Sequence, residues 1–233
     1  MTGATSVWLR PERGSRGRPS QWTRSNIADV GIRIADHQGL AAVTMRSVAT
    51  ELGTAAASLY RIVDSRDQVL ELMADRVIGE FDYSTLAALD DPRIGLLNLS
   101  RQARGIYGRH SWLLTLPSNT PTLGPCAMDY LDHALGVLST APTTTREKLE
   151  SIAIVSGLVR VLLLSEAPAR HSTTPNAGWQ VELTNHLMAA ALRDSRPHLS
   201  AAMASVDRDV DISESFDRVM LRVISGLLSG HGS

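Results

Sequence analysis

The sequence predicts an all-α protein, with an N-terminal three-helix helix-turn-helix head on a larger helical body. Three observations carry this. Apolar residues recur at helical spacing along most of the 233 residues, as in Ile27, Val30, Ile34 and Ala35, or Val69, Leu70, Met73 and Val77. Residues that start and stop helices flank those runs, among them Gly39, Thr44, Gly53, Asp91-Pro92 and the pair Thr144 and Glu147. No stretch reads as a strand, and no internal repeat is present.

Residues 1–19 hold Gly, Pro, Ser and Arg with little apolar periodicity and include RGSRGRP from Arg13 to Pro19; they read as a flexible basic arm. Such arms can follow a minor groove or a phosphate line. A disordered tail that adds only solubility is the competing reading. The glycines form no nucleotide-binding loop, because no strand precedes them and no GK[ST] follows. Helix 1 is expected from about Ser25, its N-cap, to Gln38, with Gly39 ending it. A second helix opens at Thr44, whose hydroxyl can accept from a first-turn amide, and buries Val48, Ala49 and Leu52. Gly53 then supplies a left-handed turn residue without a Cβ. A third helix runs from about Ala55 to Val63, small residues first, with Leu59, Tyr60 and Val63 behind them. Helix, glycine turn and small-residue helix is the helix-turn-helix arrangement, whose second helix enters the DNA major groove. Bulky side chains at its start would hold the backbone away from base edges. An ordinary helical hairpin within a bundle fits these residues alone about as well.

A fourth helix begins near Asp67. Asp91 and Pro92 cap and open a helix that runs to about Arg109. Trp112-Leu113-Leu114 reads as a short apolar helix broken by Pro117, and the loop 117–125 leads into a helix from about Cys126 to Ser139. Thr144 and Glu147 form a capping box for a helix to about Glu166, apolar on nearly every face from Ile152 to Leu164. Trp179 to Arg193 forms another helix, and residues 197–209 a loop or weak helix. A last helix spans about Ser213 to Leu228, with Phe216, Met220, Val223 and Leu227 on one stripe.

Composition bounds the function. The chain is 43% hydrophobic and 20% charged, as in soluble globular proteins. Net charge is −1, yet residues 1–66 hold nine arginines against five acids, so the basic end sits on an otherwise acidic chain. That is the footprint of a nucleic-acid-binding module. One cysteine, Cys126, rules out an intramolecular disulfide and fits a reducing compartment. No signal peptide is visible, and the run Ile152 to Leu164 carries Arg160 and falls short of the roughly 20 residues a bilayer span needs. A cytoplasmic protein without membrane partners is expected. Asp129 and His133 stand one helical turn apart, but no third ligand and no HExxH motif accompany them, so neither metal nor cofactor is expected. Cys126 has no obvious base and reads as an inert thiol. An enzyme is not expected.

From Arg24 to Phe81 the chain resembles the DNA-binding domain of the TetR family of transcriptional repressors. The residues that carry the resemblance are Gly39-Leu40, Thr44-Met45-Arg46, Val48-Ala49, Leu52-Gly53, Leu59-Tyr60-Arg61 and the basic Arg66 opening the fourth helix. Ile62 departs from the pattern, since the family usually has a polar residue there. More weakly, the aromatic Trp112 after His110-Ser111, the proline loop and Leu123-Gly124-Pro125 resemble the tetracycline-repressor-like C-terminal domain. The resemblance implies a DNA-binding domain at 20–66 and a ligand-binding and dimerisation domain at 67–233. It implies a homodimer on pseudo-palindromic, double-stranded operator DNA, released by a small-molecule effector. Thr44, Arg46 and Arg66 are then expected on phosphates. Thr54, Ala55, Ala56 and Ser58 are expected at the bases, with Tyr60 and Arg61 closing onto the backbone; a core aromatic is the alternative for Tyr60. Trp112 is the leading candidate to line the effector pocket, followed by Asn98, Tyr107, Met128 and His133. A helical homodimeric enzyme or binding protein with a small-molecule site in 92–139 is the alternative.

Overall fold

Eight α-helices account for most of the described residues, which in this computed structural model are 6–9, 22–86, 89–117, 124–171, 196–198, 201 and 212–229. They are α1 (Arg24–Gln38), α2 (Met45–Glu51), α3 (Ala56–Leu59), α4 (Arg66–Ile78), α5 (Pro92–Arg109), α6 (Pro125–Val137), α7 (Thr145–His171) and α8 (Ile212–Leu228). Short 3-10 segments occur at Val7–Leu9, Leu40–Ala42 and Ser111–Thr115. Among the described residues there is no strand. The helix expected at 179–193, nearly all of 197–209 and most of the loop 117–125 lie outside the described residues.

The helix starts follow from their side chains. α1 is capped by Thr23 rather than Ser25: its hydroxyl accepts from the Asn26 amide, and the Asn26 side chain accepts in return from the Thr23 amide. Thr44 and Ser47 make the same reciprocal pair at α2. Ser65 caps α4, and Asp91 caps α5 directly before Pro92. At α6 the cap comes from another helix. Gly124 offers no side chain, and the buried Asp75 of α4 accepts from the Ala127 amide at 2.9 Å. A Cβ on Gly124 would lie 2.2 Å from that carboxylate, so only glycine lets α6 start there.

Two apolar cores result. The first joins Ile27, Ile34, Val48, Leu59 and Val63 to Val69, Leu70, Met73 and Val77, so α4 packs as part of the head. Three residues from beyond α5, or at its end, join the same core: Ile106, Trp112 and Leu116. The second core lies in the body between α5, α6, α7 and α8, around Leu96, Leu99, Leu138, Val159, Met220 and Ile224. On α8 the buried stripe is Phe216, Met220, Ile224 and Leu228, one position later in its second half than the sequence stripe.

The N-terminal arm also differs from expectation at residues 6–9. Val7 is fully buried in the head core, and its amide donates to Glu71 Oε2 at 3.1 Å. Ser6 donates its hydroxyl to the other oxygen of Glu71, and Arg24 lies over the Trp8 ring at 5.8 Å. A short hydrophobic pair inside a basic, glycine-rich stretch gives no periodic signal, which is why sequence reading passed over it. The remaining residues of 1–19 lie outside the described residues.

Candidate nucleic-acid interface and sensor site

The turn before the third helix depends on Gly53, whose φ of 66° is left-handed and costs an L side chain strain. It leaves α3 only four residues long, but i→i+3 and i→i+4 bonds from Ile62 and Val63 to the Leu59 carbonyl carry the helical path on to Val63. Leu59 and Val63 are fully buried and anchor one side. The other side faces solvent: Ala55, Ala57, Tyr60 and Arg61 are exposed, Tyr60 by 51%. Tyr60 is therefore a surface aromatic and not a core one. Thr54 and Ser58 are half-buried, and Ala56 packs against the head core. Ala57, which the sequence reading did not single out, takes the outward position beside Ala55. Ile62 packs inward on the same core, which accounts for an apolar residue there.

Thr44 and Arg46 are exposed at the start of α2, where free amides and the helix dipole favour an anion. Arg66 has a different occupation. Its Nε donates to the Val43 carbonyl at 2.7 Å and an Nη to the Leu40 carbonyl at 2.8 Å, so its guanidinium ties α4 to the loop before α2.

The junction between head and body is polar and specific. His110, at the end of α5, lies against Asp36 of α1 through Nδ1 (2.9 Å) and against Glu80, just after α4, through Nε2 (2.8 Å). Arg109 also reaches Glu80, at 2.6 Å. Burial alone would push Glu80 up, but the hydrogen bonds from Arg109 and His110 outweigh it and hold the carboxyl below its ordinary value. Trp112 takes part in this junction: it is 3% exposed, packs in the head core, and donates Nε1–H to Asp36 at 2.8 Å. An indole is as good a joint as a pocket wall, and the sequence holds no sign of its distant partner Asp36.

In the body, aromatic rings from three elements converge. Tyr83 stacks on His133 of α6 with centroids 3.9 Å apart, and Phe81 meets Tyr130 of α6 at 4.8 Å. Tyr107 of α5 stands near Arg160 of α7; burial pushes its hydroxyl pKa up and the guanidinium opposes this. Asn98 accepts from Gln102, which also donates to the Asp82 carbonyl, placing both beside the 81–83 segment. Met128 is exposed on α6. His133 Nδ1 bonds the Asp129 backbone carbonyl at 2.7 Å, and among the described residues no three His, Cys, Asp or Glu side chains gather to hold a metal. Burial also raises the Cys126 thiol, with Asp75 adding to the effect. Among the described residues no helix is long and apolar enough to cross a membrane.

The comparisons with known proteins agree with this geometry. Residues 27–73 match the family described as bacterial regulatory proteins, tetR family. Residues 90–230 match the tetracyclin repressor-like C-terminal domain. The HTH-type transcriptional repressor DrrR1 of Streptomyces coeruleorubidus is 31% identical over 229 residues, covering 95% of this chain and 83% of that protein. An HTH-type transcriptional regulator of Saccharopolyspora erythraea is 31% identical over 186 residues, 79% of this chain and 76% of that protein. Among solved structures, Streptomyces coelicolor ActR in complex with actinorhodin shares the fold with a TM-score of 0.74 at 24% identity, over 91% of this chain and 99% of ActR. With a head that turns on Gly53 and matches over 27–73, and a body matched over 90–230, the chain belongs to the TetR family of bacterial regulatory proteins.

Proposed function

We infer that the protein is a DNA-binding transcriptional repressor that works as a homodimer and leaves its operator when a small molecule occupies the body. The observation that carries the reading is the outward edge of α3, where Ala55, Ala57, Tyr60 and Arg61 are exposed behind a left-handed Gly53. Small residues let the helix approach base edges, while Thr44, Arg46, Tyr60 and Arg61 grip the flanking backbone. Arg66 holds the loop before α2 in place and supports that grip through position. The repressor name of the DrrR1 relative and the ligand-bound ActR structure support the direction of control.

The dimer is supported by apolar faces that the body core leaves uncovered. On α7, Ile154, Val161 and Leu164 are exposed, Val161 by 60%. On α8, Val223 stands half-exposed outside the core. A Cβ on Gly157 or Gly226 would meet nothing, leaving room for a second backbone. Two copies joined there would present two heads to half-sites one helical turn apart, about 34–36 Å.

A gel-shift titration with DNA upstream of its own and neighbouring genes tests the reading. If each head neutralises about four phosphates, log affinity falls against log salt with a slope of about −7. No specific shift at low salt, or a flat salt dependence, removes the repressor reading and leaves a helical enzyme or binding protein.

A further inference from the structure

Among the described residues three buried polar atoms in the body have no partner, and besides the Thr143 hydroxyl these are the Tyr83 hydroxyl and Arg160 Nε. Both border the aromatic group described above. Arg160 is fixed by one Nη, which donates to the Leu114 carbonyl at 3.0 Å and the Leu116 carbonyl at 2.8 Å. No described carboxylate pairs with it. Arg160 as a whole is half-buried, but its Nε is enclosed, and an enclosed donor left idle is costly unless something accepts from it. Tyr130 links the two: its hydroxyl faces Ser156, one helical turn before Arg160 on α7, and its ring meets Phe81 at 4.8 Å, whose ring lies 6.3 Å from that of Tyr83. Tyr130 holds that contact to Ser156 at 3.3 Å. Burial pushes Tyr83 up to about 12, so its hydroxyl remains a donor at neutral pH. The charge of Asp129 also bears on Tyr83, which disfavours an anion at that end.

Resting on the reading of the body as the sensor, we propose that its ligand is a planar aromatic acid, lying against the Tyr83–His133 and Phe81–Tyr130 rings, with its anionic oxygens on Arg160 and an uncharged oxygen accepting from Tyr83. Stacking selects the planar ring and the guanidinium selects the acid. An aliphatic acid satisfies only the cation, and a neutral arene only the rings.

Calorimetric titration of the full-length protein tests this with three probes. They are a hydroxynaphthoate with hydroxyl and carboxylate on opposite rings, naphthol as ring without acid, and decanoate as acid without ring. The hydroxynaphthoate should bind at least about tenfold more tightly than either control, the yield of one charge-assisted contact. Tyr83→Phe should weaken it about threefold to tenfold while leaving the melting temperature unchanged or higher, because it removes a hydroxyl that is unpaired without ligand. His133→Leu should weaken it too, through the lost stack. Equal binding of decanoate, no binding at millimolar concentration, or a Tyr83→Phe protein with undiminished affinity overturns the proposal. Operator release is read separately by gel shift. A hydroxynaphthoate that binds as stated but leaves the operator occupied upholds the ligand class and overturns the inducer reading.

Discussion

Asp36 accepts from two side chains that follow α5, His110 and Trp112, and so fixes the segment leaving α5 to the first helix of the head. Trp112→Phe keeps most of the ring but leaves one carboxylate oxygen without its indole donor. It should cost about 1–3 kcal/mol of unfolding free energy by urea titration, and weaken operator binding in ligand-free protein. A variant that weakens only effector binding would place Trp112 in the pocket. Glu80 adds a pH dependence with a definite sign. Its carboxyl is held below the ordinary value of 4.5, so its contribution is fully present above that pH and is lost as pH falls through the lowered value. Glu80→Gln should therefore flatten the acid limb of the stability curve while changing little below it. An unchanged acid limb would mean that His110 and Arg109 do not hold this carboxylate in solution.

Several helix ends were legible in the sequence: Thr44, Gly39, Gly53 and Asp91 stand where their chemistry puts them, although the return bond from Ser47 to Thr44 was not read. Thr23 displaced Ser25 because Asn26 returns the hydrogen bond, a reciprocity that a scan for single caps misses. The cap of α6 was illegible, since Asp75 lies fifty-two residues from Ala127 along the chain and meets it only in the fold. Facing was hardest where helices are apolar all round. On α7, Leu162 packs toward the body core while Val161 is exposed, so Val161 and not Leu162 is the probe of the dimer. Val161→Glu and Val223→Glu should yield folded monomers in sedimentation that lose specific DNA binding, because a charge in an apolar interface has no compensation. Intact dimers from both would move the interface elsewhere. The N-terminal 3-10 turn makes a further prediction. Deleting residues 1–9 exposes the site of Val7 and strips Glu71 of its donors, which should destabilise the protein by about 2–4 kcal/mol. A deletion that unfolds at the wild-type midpoint would make that turn an ornament.

At the scale of the whole molecule, the base-reading edge and the aromatic group are joined through α4, which packs in the head core, caps α6 through Asp75 and ends beside Glu80. If occupancy of the body shifts the spacing of two heads, operator must weaken effector binding by the same factor as effector weakens operator binding. Affinities measured for each partner with and without saturating amounts of the other should close this cycle. Unequal factors would reveal a third state, such as an aggregate.

The clasp between Val7 and Glu71 also places the head in time. Val7 is made before the rest of the head, yet the carboxylate that receives its amide is encoded sixty-four residues later. The head cannot close its core until α4 has been made and has left the exit tunnel. Until then Val7 and Trp8 are uncovered apolar side chains on a nascent chain. A bulky group joined directly before Ser6 would crowd the last step of that closure. A tag at the other end of the chain leaves the clasp free to form.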